Sequence, residues 1–273
     1  MSRILLINDV PSFGKIATAV MNPILSYLNH EVYILPTVIV SNPLSYPEYE
    51  MKEMTDYMKG TLKAWQSMKI SFDCICTGFL SGVTQFSWIE EVLKNYPESL
   101  ILVDPIMADH GRLYQGLIEE TPTLMKQLGA YADVLLPNFT EAILMTKANV
   151  AQNSVSRTEI IAILESLHSD KAKSVVITSV PLEGQWHVCG SDGQNCFFLP
   201  YQWIDIHLLG TGDIFSAVVV TSLLEHFSLK QSVLHAMDFI SQIMLTEKKS
   251  GKNSKHIQIE KYLSLLQNKK QVY

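Results

Sequence analysis

Six short apolar runs, Ile4–Ile7, Val32–Leu35, Cys74–Thr77, Leu100–Val103, Val134–Leu136 and Val175–Thr178, are separated by stretches long enough to form helices. Most of the runs are continuous rather than alternating, so a strand built from them is apolar on both faces. A parallel sheet between two helical layers covers both faces. The helical candidates are Ile16–Asn29, Pro47–Lys69, Val83–Asn95, Pro122–Tyr131 and Thr158–Leu167. The last carries Ile160, Ile161, Leu164 and Leu167 on one stripe. Strand and helix in alternation predict an α/β chain with a doubly wound, mostly parallel sheet.

After Thr178 the texture changes. Gln185–Cys189 and Cys196–Leu199 flank the turn-rich Gly190-Ser191-Asp192-Gly193, which predicts an antiparallel hairpin at an edge. Three helices are expected to follow, Ile214–His226, Gln231–Thr246 and Ile257–Gln267, with the basic run Lys248–Asn253 as a solvated linker. No internal repeat or shift in composition marks a boundary, so the chain reads as one domain, residues 1–273.

A hydrophobic content of 47% is ample for one extended core. There is no apolar run of membrane-spanning length, and Met1-Ser2-Arg3 leads directly into Ile4-Leu5-Leu6-Ile7 without a leader pattern. The expectation is a soluble, unprocessed, cytoplasmic protein with no membrane partner. A net charge of −6 argues against nucleic acid as a partner, which calls for a basic face. Cys74, Cys76, Cys189 and Cys196 have no metal-ligand spacing and read as reduced thiols.

Gly210-Thr211-Gly212-Asp213 stands at the start of the apolar run Ile214–Leu224. Glycines at alternate positions permit positive φ and close backbone approach, so successive main-chain N–H groups can converge on an anion. The helix that follows adds the positive end of its dipole. An acid beside such an anion hole is a poor phosphate ligand, but it can take the proton of an alcohol attacking phosphorus. The plainer alternative is a turn whose acid complements the helix N-terminus. Likewise Asn138 and Glu141, three residues apart, fit either a phosphate and metal site or a helix capping box. No Gly-x-Gly-x-x-Gly follows the first strand and no Gly-Lys-Ser/Thr occurs, which argues against dehydrogenases and Walker-type nucleotide binders.

Taken in order, Ile7-Asn8-Asp9, Val40-Ser41-Asn42, Val103-Asp104-Pro105-Ile106-Met107-Ala108-Asp109, Gly111-Arg112-Leu113-Tyr114, Pro137-Asn138-Phe139-Thr140-Glu141-Ala142 and Gly210-Thr211-Gly212-Asp213 resemble the ribokinase-like superfamily. Within it, the chain is similar to the pyridoxal/pyridoxamine (vitamin B6) kinases over nearly its whole length. The resemblance implies a three-layer α/β/α fold whose ligands bind at the carboxyl ends of the strands. It implies transfer of the ATP γ-phosphoryl group to the 5′-hydroxymethyl of a B6 vitamer in pyridoxal 5′-phosphate salvage. Asp213 would be the general base, with Gly210, Thr211 and Gly212 as the anion hole. Asp104, Asn138, Glu141 and Thr178 would serve the nucleotide phosphates, and Glu141 and Asp104 would hold Mg2+ through water. Asn8, Asp9, Ser12, Ser41, Asn42, Asp109 and Tyr114 would line the acceptor pocket, with Gly14 in the same loop as Ser12. Relatives of this kind pair as homodimers.

The chain departs from the pyridoxal kinase pattern at Pro43-Leu44, where His-Thr is familiar, and at Asp9, where Ser is common. Leu136 replaces a Thr before Pro-Asn, and Ala108 stands where Gly is frequent. These departures keep two alternatives open: a hydroxymethylpyrimidine kinase, or a catalytically silent B6-binding protein.

Overall fold

The computed structural model describes residues 1–172, 174–251 and 255–267. The chain divides into two compact units, Met1–Phe72 together with the segment from Ile204 onward, and Asp73–Trp203.

In the first unit, β1 (Arg3–Pro11) leads into α1 (Thr18–Tyr27) and then β2 (Glu31–Val40), which runs parallel to β1. Ile4 to Ile7 are fully buried, as the continuous apolar run requires. The register slips between Asn8 and Val10: Asn8 pairs Pro36 while Val10 pairs Ile39, so Asp9 lies at a bulge opposite Thr37 and Val38. Pro36 has no N–H to continue the ladder there.

The expected helix Pro47–Lys69 is divided. Met51–Glu53 forms β3, antiparallel to Val38–Val40 of β2, and the helix α2 starts only at Thr55 and ends at Ser67. Pairing the exposed edge of β2 outweighs the helical preference of this segment.

The second unit begins with β4 (Cys74–Thr77), α3 (Gly82–Lys94) and β5 (Leu100–Val103), close to the expected bounds. A small hairpin follows, β6 (Ala108–Asp109) and β7 (Arg112–Leu113), turned by His110 and Gly111 at φ 47° and 79°. Then come α4 (Thr121–Gly129), β8 (Val134–Leu135), α5 (Phe139–Thr146), α6 (Arg157–Leu167), β9 (Ser174–Leu182), β10 (Gln185–Ser191) and β11 (Cys196–Pro200). Strands β4, β5, β8 and β9 are parallel, and β10 and β11 add the expected antiparallel edge.

The chain then returns to the first unit with α7 (Thr211–Leu224) and α8 (Leu229–Ser250). Helix α7 is buried on nearly every side, in keeping with a sequence that is apolar all round. The Ser228–Gln231 capping box starts α8. Lys248 and Lys249, expected in a linker, form its last turn, where cations complement the helix dipole. Lys252 and Asn253 of that expected linker lie outside the described residues. The expected helix Ile257–Gln267 is instead two 3₁₀ turns, Ile259–Lys261 and Leu263–Gln267, pinned by buried Ile257, Ile259 and Leu266. The fold is thus α/β with a mostly parallel sheet and antiparallel edges, as the alternation of elements predicts. Among the described residues no helix is long and apolar enough to cross a membrane.

Candidate active site

The N-cap of α7 is Gly210, at φ 84°. A Cβ there would collide with the carbonyl oxygen of Lys15, so both conformation and space demand glycine. Gly212 differs from the expectation of positive φ at both glycines: it lies within the first turn of α7, outside the positive-φ set, and a Cβ on it would meet nothing within 4 Å. Its missing side chain leaves open space beside the N–H groups that the start of any helix leaves unsatisfied.

Asp213 follows in that turn, with only 8% of its surface exposed. Burial pushes its carboxyl up to about 6, opposed by hydrogen bonds from the Ala17 main-chain N–H and the Asn8 side-chain amide. Its Oδ1 is buried with no hydrogen-bond partner. The carboxylate is therefore held by its neighbours and keeps one oxygen in reserve. Ala17 meets it from the N-cap of α1 at φ 47°, ψ −130°, a backbone state costly for any residue but glycine. Nothing in the sequence marks Ala17 for this part.

Asn8 and Asp9, expected just after a strand, lie within β1. Asn8 accepts the Asp9 N–H at 2.9 Å through Oδ1, and its Nδ2 also approaches Met21 Sδ at 3.7 Å. The same amide also donates to the Asp213 carboxylate. Asp9 is buried beside Asp213; burial first, then the like charge of Asp213, push its carboxyl up to about 8. The Thr18 hydroxyl fixes the Asp9 carbonyl at 2.8 Å.

Ser12 is exposed, and its N–H donates to the Val40 carbonyl at 2.7 Å. Ser41 and Asn42 spend their polar groups on their own loop: Ser41 Oγ donates to Asn42 Oδ1 and accepts the Glu50 N–H, and Asn42 Nδ2 donates to the Glu48 carbonyl. A Cβ on Gly14 would lie 3.0 Å from the His256 ring and 3.3 Å from Pro43. Phe13 stacks edge-on against that ring, and the Tyr46 hydroxyl meets its Nε2 at 3.0 Å. His256 and Tyr46 carried no motif, and only the fold places them beside the Phe13-Gly14 turn.

The second unit gathers another set. Asn138 and Glu141 form a capping box on α5: Asn138 Oδ1 accepts the Glu141 N–H at 2.9 Å and Glu141 Oε2 accepts the Asn138 N–H at 2.8 Å. Glu141 Oε1 also accepts from Met107 and Ala108 at 3.1 and 3.4 Å, while Asn138 Nδ2 donates to the Ala108 carbonyl. Burial and the nearby charge of Asp104 hold the Glu141 carboxyl well above its usual range, against the pull of those three N–H groups. Thr178, expected at a strand end, lies mid-way along β9; it forms an isolated parallel bridge with Asn138, and its N–H donates to the Pro137 carbonyl at 3.0 Å. Ser179, next in β9, sits at φ 58°, an outlier the sequence does not announce. Asp109 is exposed and accepts the N–H of His110 in its own hairpin. Tyr114 is half-buried, its N–H on the Met107 carbonyl.

With three N–H groups on its carboxylate, Glu141 suits contact with a metal through water rather than direct ligation. Asp104, half-buried beside it, offers the more accessible oxygens. This pair of like charges fits a hydrated Mg2+.

Comparison with known proteins bears on what these sets serve. A pyridoxine/pyridoxal/pyridoxamine kinase of Bordetella avium is 27% identical over 247 residues, 85% of this chain and 81% of its own length. A protein described as a phosphomethylpyrimidine kinase from Bacteroides thetaiotaomicron, crystallised with pyridoxal, superposes with a TM-score of 0.90 at 30% identity, covering 97% of this chain and 96% of its own. Pyridoxal kinase of Lactobacillus plantarum gives a TM-score of 0.88 at 25% identity, over 97% and 96% of the two chains. The phosphomethylpyrimidine kinase family matches over residues 34–258, and the chain belongs to it, as a small-molecule phosphotransferase of the ribokinase-like superfamily.

Proposed function

We propose that the protein phosphorylates the 5′-hydroxymethyl group of a B6 vitamer at the expense of ATP, in the salvage route to pyridoxal 5′-phosphate. The observation that carries this reading is the buried Asp213 carboxylate, with Oδ1 unpartnered at the open start of α7. Oδ1 takes the proton of the primary alcohol as its oxygen bonds to the γ-phosphorus and the bond to ADP breaks. The main-chain N–H groups of the Gly210–Gly212 turn and the dipole of α7 stabilise charge on the transferring group. A carboxyl raised to about 6 by burial is ionised at neutral pH yet more basic than an exposed aspartate.

The second unit's Asp104, Asn138, Glu141 and Thr178 serve the nucleotide phosphates. Mg2+ would be held by Glu141 and Asp104 through water, and would offset phosphate charge. Most of the rate then comes from positioning and electrostatics.

Hydroxymethylpyrimidine is a second acceptor to consider, favoured by the family match over residues 34–258. ADP release measured side by side with pyridoxal, pyridoxine, pyridoxamine and hydroxymethylpyrimidine tests both. Turnover with a vitamer supports the first reading, and turnover with the pyrimidine alone moves the assignment to the second. Binding of pyridoxal without ATP consumption with any of them makes the protein a silent B6 binder.

A further inference from the structure

In the first unit, His256 meets three stretches of chain that are far apart in sequence. Its ring lies edge-to-face with Phe13, the centroids 4.9 Å apart and the planes at 69°. The same ring stands over Gly14, where a Cβ would come within 3.0 Å of it. The Tyr46 hydroxyl meets its Nε2 at 3.0 Å. Its main chain forms a parallel bridge with Leu209, whose N–H donates to the Lys255 carbonyl at 2.8 Å. One residue therefore joins two loops to the residue immediately before Gly210.

The Phe13–Lys15 turn reaches the same place from its other side. Lys15 Nζ is ion-paired with Glu260 in the 3₁₀ turn Ile259–Lys261. The Lys15 carbonyl lies where a Cβ on Gly210 would collide with it. Two residues further on, the Ala17 N–H donates to the Asp213 carboxylate. Side chains thus tie the turn to the 256–260 segment, and main-chain groups tie it to the Gly210–Asp213 turn. Phe13 is 56% exposed and Gly14 sits at φ 99°, so the turn has little of its own to hold its shape. Exposed segments of this kind open at small cost unless a neighbour fixes them. The His256 ring is that neighbour for both residues.

We propose that His256 is a positioning residue for phosphoryl transfer: bonded to Tyr46 and packed on Phe13 and Gly14, it clamps the Phe13–Lys15 turn against the chain entering Gly210 and so fixes the main-chain geometry of the anion hole. This rests on the kinase reading above and extends it to a residue remote in sequence from the Gly210–Asp213 motif. His256 acts through the turn it holds, so its loss is felt in the transfer step. Asp104, Asn138, Glu141 and Thr178, assigned to the nucleotide phosphates, are untouched by a change at His256.

The test measures kcat and KM for ATP, with pyridoxal as acceptor, in the intact wild type and in His256→Ala, well below both melting midpoints. Chymotrypsin cleavage after Phe13 is followed on the same preparations. In His256→Ala, kcat should fall roughly 10- to 100-fold, the scale of a displacement of about 1 Å at a reacting group, with KM for ATP nearly unchanged. Cleavage after Phe13 should quicken as the turn opens. Tyr46→Phe should lower kcat in the same direction, and the double variant should be no worse than His256→Ala alone, because both remove one contact. His256→Gln, which keeps a polar group for the Tyr46 hydroxyl, should recover part of kcat. If His256→Ala does not fold, Tyr46→Phe and His256→Gln carry the same comparison. A lower melting temperature with kcat unchanged would make the ring a packing residue only and overturn the proposal. A fall in kcat with cleavage at Phe13 unchanged would overturn it as well, since the turn would not have moved. In either case the kinase reading stands. No ADP release from the wild type with any acceptor overturns the kinase reading, and this inference with it.

Discussion

The side-chain amide of Asn8 donates to the Asp213 carboxylate, while Asp213 Oδ1 remains buried without a partner. The same amide carbonyl takes the N–H of Asp9, so one strand residue sets the position of two acids. Asn8 thus acts on the proposed base rather than on the acceptor, a positioning role that its place in a polar turn motif does not disclose.

Asp213→Asn keeps the shape of the site and removes the proton acceptor. Turnover should fall roughly 100- to 10,000-fold, with nucleotide affinity little changed. In the wild type, activity should be lost as pH falls through about 6, because the base becomes protonated there. Asn8→Ala withdraws a hydrogen bond that favours the carboxylate, so the acid limb of its profile should move to higher pH. Steady-state ADP release across pH reads all three. An Asp213→Asn protein with full turnover removes the base from the mechanism.

Asp9 gives a stability prediction with a definite sign. Its carboxyl stands at about 8 in the folded chain against 3.8 when unperturbed. Between these values the folded chain keeps a proton that the unfolded chain has released, so stability is fully present below the lower value and is lost as pH rises through about 8. Asp9→Asn should melt several degrees above the wild type at roughly pH 8.5 and much closer to it at about pH 4. Parallel thermal melts at both pH values check this, and equal offsets at the two would contradict the burial of a protonated Asp9.

Much of this was legible in the sequence. β4 and β5 match their apolar runs because a strand covered on both faces leaves a continuous pattern. The Asn138–Glu141 capping box and the start of α7 were readable because both are set by neighbours within one turn. Features that depend on distant chain were not. The bulge at Asp9 arises from its pairing with β2, and the edge strand Met51–Glu53 forms only because β2 offers it a ladder. The strained Ala17 N–H gains its meaning from Asp213, far along the chain. Met107 and Ala108, likewise, meet Glu141 only through the folded second unit.

The two glycines of the α7 turn should respond differently. Gly210→Ala places a methyl against the Lys15 carbonyl at φ 84°, a strain on the order of 1–3 kcal/mol, and should lower both melting temperature and activity. Gly212→Ala fills open space in a helical turn and should leave stability unchanged or raise it by up to about 1 kcal/mol. If the phosphoryl group occupies that space, Gly212→Ala still loses turnover. Melting temperature and ADP release measured together separate the two cases, and a fully active Gly212→Ala would move the phosphate elsewhere.

Glu141 and Asp104 should likewise separate fold from metal. Glu141→Gln sets an NH2 group against main-chain N–H donors in a buried place, so it should cost about 1–3 kcal/mol of stability. Asp104→Asn removes a like charge beside Glu141 and should leave the fold as stable as before, or more so. Its effect belongs to the metal: with one of the two carboxylates facing the hydrated ion gone, half-maximal activity should need roughly tenfold more Mg2+, on the scale of a lost charged contact. Titration of activity with Mg2+ at saturating ATP reads this, with urea unfolding for the stability arm. A normal Mg2+ requirement in a stable, active Asp104→Asn protein would assign Asp104 to the strand end alone. Metal sensitivity in that variant without loss of stability would mark it as the oxygen donor, with Glu141 holding the hairpin and helix that frame it.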